Sequence, residues 1–291
     1  MSLSEQSCPT LIASDVDGTL IDDENRVSER TKSVLANAIT AGAEFVLATG
    51  RPPRWIAEIT DQFTDSPVRV RYAVCANGAI LYDVENDRIL DAATLAPATL
   101  AELAAIAATQ IPGCGIADER AGESAHDEAT APFVATSGYQ HAWLNPDHVE
   151  VGDAEIVAQP AVKLLVRSPG TPSDQMARLL TGPIGDLAQI TYSTDNGLIE
   201  LSVPHTHKAS GLQNLLARTD IAHTGTDGAS VIAFGDMPND VEMLSWAGHG
   251  VAMGHGHPAA LAAADEVTVG NNDDGVARVL ERWFSPQSIR S

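Results

Sequence analysis

The chain has 291 residues, of which 44% are hydrophobic and 19% charged, a balance that excludes a disordered protein and is long enough for two domains. Its formal charge of -22, from 17 Lys and Arg against 39 Asp and Glu, excludes nucleic acid and anionic membrane surfaces as partners, because neither polyanion is attracted to it. Any phosphate site in so acidic a chain must bring its own positive charge.

In chain order, residues 10–13 form a short apolar run that reads as a buried strand, followed at once by Asp15-Val16-Asp17-Gly18-Thr19-Leu20. Ser28 caps a helix running to about residue 41, with Val34, Leu35, Ala38 and Ile39 on one face and Gly42 as its stop. Residues 44–48 are the next strand and end at Thr49-Gly50-Arg51. Pro52 and Pro53 suit the first turn of a helix carrying Trp55, Ile56 and Ile59. A third strand over 71–76 ends at Asn77-Gly78, and residues 79–82 and 88–90 read as a hairpin.

The pattern then changes. Residues 97–110 are an Ala-rich helix, 118–160 are polar and irregular, and 161–167 are a strand. Thr171-Pro172-Ser173-Asp174 starts a helix, and two antiparallel strands, 190–193 and 198–203, flank Asp195-Asn196-Gly197. Strand–helix alternation resumes after Lys208. Alternation at both ends implies a doubly wound parallel sheet, and the middle implies an inserted α+β domain. The expected division is a core of residues 1–83 and 201–291 around an insert of 84–200.

No apolar run approaches the ~20 residues of a spanning helix, and residues 1–10 lack the basic start and apolar stretch of a signal peptide. Cys8, Cys75 and Cys114 form no Cys-x-x-Cys pair and read as reduced thiols of a cytoplasmic protein.

Asp15 and Asp17 stand two apart at a strand's carboxyl end, where open α/β sheets bind ligands. In extended backbone such residues share a face, so both acids are expected in one pocket, relieved by a hard divalent ion such as Mg²⁺. The competing reading is a helix cap beside a solvated turn residue. Four segments taken together, Asp15 to Leu20, Thr49-Gly50-Arg51, Lys208 at a helix start, and Gly235-Asp236-Met237-Pro238-Asn239-Asp240 after a further apolar strand, resemble the haloacid dehalogenase-like (HAD) superfamily. Their order and the insert resemble its Cof-like type IIB branch, as do Asn77-Gly78-Ala79 and the stretch 250–254. The implied fold is a Rossmann-like HAD core with a type C2 cap.

What the resemblance implies is a phosphatase acting on a small phosphorylated metabolite through an aspartyl-phosphate. Asp15 is then the nucleophile and Asp17 the acid and base. Mg²⁺ sits on Asp15, the Asp17 backbone carbonyl and Asp236. Thr49, Gly50, Asn77, Lys208 and Asn239 bind phosphate, with Asn239 alternatively orienting Lys208. Asp240 stands behind, holding metal water or Lys208. Arg51 has two open readings, a phosphate clamp or a partner of surface acids. A phosphomannomutase-like mutase and a phosphoryl-accepting receiver domain are the alternatives, and a monomer or homodimer is expected. His205 with His207, and His255 with His257, invite a zinc reading that the carboxylate set opposes. The stretch from Met253 to Pro258 has no functional reading.

Overall fold

The computed structural model describes residues 8–141, 148–218 and 228–285. Residues 1–7, part of the segment read as lacking a leader, lie outside the described residues. The chain divides into two compact units, Met1–Asn86 with His207–Ser291, and Asp87–Thr206.

The first unit opens with β1 (Leu11–Ser14), α1 (Glu29–Thr40), β2 (Glu44–Ala48), α2 (Ala57–Thr60), β3 (Tyr72–Cys75) and β4 (Ile80–Asp83). The Ser28 hydroxyl accepts the Thr31 N–H, and α1 buries Val34, Leu35 and Ala38, as its periodicity requires. The helix expected after Pro52 is instead a 3₁₀ turn (Pro53–Trp55), the single turn α2, and a second 3₁₀ turn (Asp61–Phe63). None of these pieces has a side-chain cap, so nothing local sustains a longer helix.

The second unit contains β5 (Arg88–Ala92), α3 (Pro97–Gln110), β6 (Gly115–Glu119), β7 (Phe133–Thr136), β8 (His148–Val151) and α4 (Asp153–Ile156). It continues with β9 (Lys163–Arg167), α5 (Ser173–Ile184), β10 (Gln189–Thr191) and β11 (Leu198–Ser202). Its sheet runs β10-β11-β9-β6-β7-β8, antiparallel except for the β7–β8 pair. Ile116, Val134, Leu164, Val166, Ile199 and Leu201 face α3 and α5 in one apolar core. The stretch 118–160, expected to be irregular, holds the end of β6, β7, β8 and α4. Their pattern is masked because β6 ends in two buried acids, Asp118 and Glu119, where a strand normally shows apolar residues.

The chain then returns to the first unit through α6 (Lys208–Arg218), β12 (Val231–Gly235), α7 (Val241–Trp246) and β13 (His249–Ala252). It ends with α8 (Pro258–Ala263), β14 (Glu266–Val267) and α9 (Gly275–Phe284). Seven strands of this unit lie in the order β14-β13-β12-β1-β2-β3-β4. All neighbours are parallel except β4 against β3. β1 and β12 are buried along their whole length, the mark of a central strand covered on both faces. Leu11 pairs with Val231 on one side and Glu44 on the other, so residues far apart in sequence end at one sheet edge. This is the expected doubly wound α/β core.

Asp118 is the costly residue of the second unit. Both its carboxyl oxygens are buried without a hydrogen-bond partner, and Arg120 Nη2 stands 3.9 Å away. Burial, opposed by the Arg120 charge, pushes its carboxyl from 3.8 to about 8. The folded state therefore holds this proton more tightly than the unfolded state, and stability falls as pH rises from about 4 through 8. Asp118→Asn removes the titration. Its stability advantage over wild type, read by thermal unfolding, is expected to grow from pH 5 to about pH 8 and then level off; a constant difference would refute the assignment.

Candidate active site

The site forms at the carboxyl ends of β1, β2, β3 and β12. After β1, the Asp15 N–H still donates to the Phe234 carbonyl at 2.9 Å, extending the ladder by one residue. The chain then leaves the sheet in a tight helical turn, Val16–Leu20, interrupted by extended Asp17 and left-handed Gly18 (φ 73°). A Cβ on Gly18 would stand 2.5 Å from Asp236 Oδ2, so the backbone approaches that acid as only glycine allows. The turn also gives the two acids different exposures. The Asp15 side chain is 5% exposed and the Asp17 side chain 57% exposed. Alternation by twos holds in a strand, and here the strand has already ended.

Asp17 is gripped by Arg51, whose Nη2 and Nε lie 2.7 and 2.9 Å from Oδ1 and Oδ2. Arg51 Nη1 reaches Glu58 Oε2 at 2.9 Å. Arg51 thus pairs with two acids, and one of the partners is Asp17 itself.

Lys208 opens α6, and the packing of that helix start fixes its place. Ala76, Asn77 and Gly78 follow β3 with positive φ values of 51°, 57° and 101°. A Cβ on Gly78 would lie 2.2 Å from the His207 carbonyl oxygen. The helix start therefore sits directly on this loop. Lys208 is fully buried, with Nζ 2.7 Å from Asp15 Oδ1 and 2.7 Å from Asp240 Oδ1. Burial pulls its ammonium down, but the two carboxylates outweigh burial and hold it above the usual lysine range. Burial pushes Asp15 well above the usual carboxylate range; Lys208 opposes this, and Asp240, Asp236 and Asp17 reinforce it. Asp236 is raised by burial too, against the pull of His255, Lys208 and Thr19.

Asp240 is the anchor of the group. Its Oδ2 accepts the N–H groups of Asp236 and Met237 at 3.0 and 2.9 Å, while Oδ1 takes Lys208. Asp236 Oδ1 accepts the Thr19 hydroxyl at 3.1 Å, and His255 Nε2 lies 3.6 Å from Oδ2. Thr19 and His255 were not singled out as site residues: Thr19 belongs to the first motif without a role read for it, and His255 belongs to the stretch with no functional reading. The Asp236 carboxylate pushes the His255 imidazolium up. His257, its neighbour two residues on, instead caps α8 by accepting the Ala259 N–H on Nδ1.

Thr49 is fully buried, and its Oγ1 accepts the Arg51 N–H at 3.1 Å. Asn77 Oδ1 accepts Asn239 Nδ2 at 2.9 Å and lies 3.2 Å from where a Cβ on Gly50 would be. Thr49, Gly50, Asn77 and Asn239 thus form one contiguous patch. Asn239 reaches this patch, and no hydrogen bond from it to Lys208 is found among the described residues.

Ligand oxygens of Asp15, Asp236 and Asp240 all lie within 4.8 Å of one another. Three carboxylates beside one ammonium leave two negative charges without a partner when all are ionised. That surplus and an all-oxygen donor set fit a hard divalent cation. Asp240 already spends both oxygens on hydrogen bonds, so Asp15 and Asp236 have more to give. No imidazole belongs to the group among the described residues, which weighs against zinc.

A family model described as haloacid dehalogenase-like hydrolase matches residues 12–280. The chain is similar to the 5-amino-6-(5-phospho-D-ribitylamino)uracil phosphatase YitU of Bacillus subtilis (strain 168), 28% identical over 95% of this chain and 98% of that protein. It is 38% identical to a phosphatase of the same name, YbjI of Escherichia coli (strain K12), over 37% of this chain and 38% of that one. In fold it resembles the HAD subclass IIB sugar phosphatase BT4131, with a TM-score of 0.74 at 20% identity over 94% of this chain and 98% of that one.

Removing the ammonium exposes the cost of the cluster. Lys208→Met leaves Asp15 and Asp240 buried without their counter-ion, and the expected loss is about 3–5 kcal/mol in metal-free buffer. Urea unfolding measures it, and magnesium in the buffer should return part of the loss. An unchanged midpoint would mean that the two acids do not depend on Lys208.

Proposed function

The chain belongs to the haloacid dehalogenase-like hydrolase family, and we propose that it is a Mg²⁺-dependent phosphatase of small phosphate monoesters that works through an aspartyl-phosphate on Asp15. The observation that carries this reading is the buried contact of Lys208 with both Asp15 and Asp240 beside Asp236.

The Asp15 carboxylate is the nucleophile. Lys208 occupies Oδ1 and orients the group, leaving the second oxygen to attack phosphorus. The bond from phosphorus to the ester oxygen breaks as the new bond forms, and the departing alkoxide takes a proton from Asp17. Asp17 suits that role because it is the exposed acid of the pair, at the rim where an alcohol leaves. In the second half, Asp17 takes a proton from water, the hydroxide attacks phosphorus, and Asp15 is released with inorganic phosphate. Arg51 keeps Asp17 at the rim through two hydrogen bonds. Because Arg51 is committed to Asp17 and Glu58, phosphate charge falls to Lys208, with Thr49, Asn77 and Asn239 lining the adjoining patch. Mg²⁺, held by Asp15 and Asp236 with the Asp17 backbone carbonyl, would neutralise the phosphoryl oxygens as charge builds on them.

Residues 87–206 take the part of the family's cap. A phosphomutase needs cap cations free to hold a second phosphate. Of the five Lys and Arg in this unit, Lys163 pairs with Glu200, Arg178 with Asp174, and Arg120 and Arg167 donate to backbone carbonyls, which leaves the exposed Arg88 of β5 as the one cation able to meet a second phosphate. That speaks for hydrolysis. The relatives named as 5-amino-6-(5-phospho-D-ribitylamino)uracil phosphatases, together with the resemblance to a sugar phosphatase, point to a phosphate on a polyol or sugar carbon.

A panel of phosphorylated metabolites including 5-amino-6-(5-phospho-D-ribitylamino)uracil and hexose phosphates, assayed for released phosphate with Mg²⁺ or with EDTA, tests the proposal. Turnover that EDTA abolishes is expected; no release from any ester would overturn it. Asp15→Asn should lower kcat by at least ~10³-fold while the fold is kept. Asp236→Ala should raise the Mg²⁺ concentration for half-maximal activity by at least ~10-fold, and an unchanged titration would remove Asp236 from the ligand set.

A further inference from the structure

Asp236 has two carboxyl oxygens and two different environments. Oδ1 is held by the Thr19 hydroxyl. Oδ2 faces the bare backbone of Gly18 and His255, whose imidazole also has the Gly18 backbone as a hydrogen-bonding neighbour. The loop that carries His255 is tied to residue 236 by its backbone. The His257 N–H donates to the Asp236 carbonyl at 2.7 Å, and the Met253 N–H to the Gly235 carbonyl at 3.0 Å. A Cβ on Gly256 would lie 2.9 Å from that same Asp236 carbonyl, so the loop presses on the end of β12 with no side chain between. These contacts set the register that puts residue 255 opposite the Asp236 side chain. On the far side of the ring, a Cβ on Gly270 would stand 3.2 Å from His255 Nδ1, so this glycine leaves room for the imidazole.

We propose that His255 is a positioning residue for Asp236: its Nε2–H engages Oδ2, so that Thr19 and His255 together hold the carboxylate in the one orientation that presents it to the divalent ion. The inference rests on the metal reading given above. Three observations favour positioning over other roles. His255 is not among the residues whose ligand atoms cluster within 4.8 Å, so it acts through Asp236 rather than on the ion. Its side chain is 43% exposed, so it is no core filler. The neighbouring His257 is spent on a helix cap, which leaves His255 as the member of the His-Gly-His stretch facing the site. The 3.6 Å separation is an ion-pair distance, longer than a hydrogen bond, and a small turn of the exposed ring would close it.

Partners that orient a metal-ligating group typically change metal affinity by about 10–100-fold when removed. The test is Mg²⁺ and Mn²⁺ dissociation constants for purified wild type, His255→Ala, His255→Gln and Asp236→Asn, by calorimetry and by the electron paramagnetic resonance of free Mn²⁺. Gln places an amide N–H close to where Nε2–H lies. The expected pattern is a weakening of at least ~10-fold in His255→Ala, restored to within ~3-fold in His255→Gln, with binding lost in Asp236→Asn. If His255→Ala binds like wild type while Asp236→Asn does not, the positioning role is wrong and the metal site stands. A loss in His255→Ala that Gln does not restore also counts against it, since the donor would then not be the cause. If Asp236→Asn binds like wild type, the metal reading falls and this inference with it. Circular dichroism of each metal-free variant separates lost affinity from lost fold.

Discussion

The structure depends on one electrostatic arrangement: an ammonium buried against two carboxylates, with a third carboxylate close by, at the edge of the central sheet. A lone charge in such a place is prohibitive, and an unpaired group would lose its charge rather than stay buried. Lys208 keeps its proton because Asp15 and Asp240 flank it. The remaining features of the site can be read as devices that hold these groups together. Gly18 lets the backbone close on Asp236, Gly78 lets the start of α6 close on the loop after β3, and Asp240 ties its own carboxylate to two N–H groups.

The same arrangement explains how a chain of charge -22 can attract a phosphate ester at all. Long-range attraction is absent, so the favourable field must be local and must come from charges that water does not screen. Lys208 meets that need because it is fully buried. Arg51 does not, since its guanidinium is already matched by Asp17 and Glu58. On the metal reading proposed above, a divalent ion would supply what the single ammonium cannot.

Much of this was legible from the residues. The strands β1, β2 and β12 are short apolar runs that stop at a chemically loaded turn, and that coincidence marks both the sheet and its functional edge. Lys208 stood out because it is the last lysine of an acidic chain. The exposure of Asp17 was not legible, because it depends on the strand ending at Ser14 rather than two residues later. Nor were β6, β7 and β8, whose polar content reflects buried acids and an exposed edge strand instead of a clean alternation. Asp118 illustrates the limit. An acid inside an apolar core contradicts the pattern by which strands are read, and only the packing around it shows that it is there. His255 was visible but mute, since nothing in its neighbours in sequence says that β12 and the loop after β13 meet.

The pairing of β1 with β12 has a consequence for how the polypeptide matures. Leu11 and Val231 are neighbours, yet the ribosome makes them some two hundred residues apart. Until the later strand emerges, β1 has an open hydrogen-bonding edge and an apolar surface that only the finished sheet hides. The intervening unit is contiguous and has its own apolar core, so it can collapse first, during synthesis. Its compactness shortens the loop that must close before the two strands meet, and so lowers the entropic barrier to completing the sheet. A segment inserted between two halves of a domain thereby acts as a tether that brings them within reach.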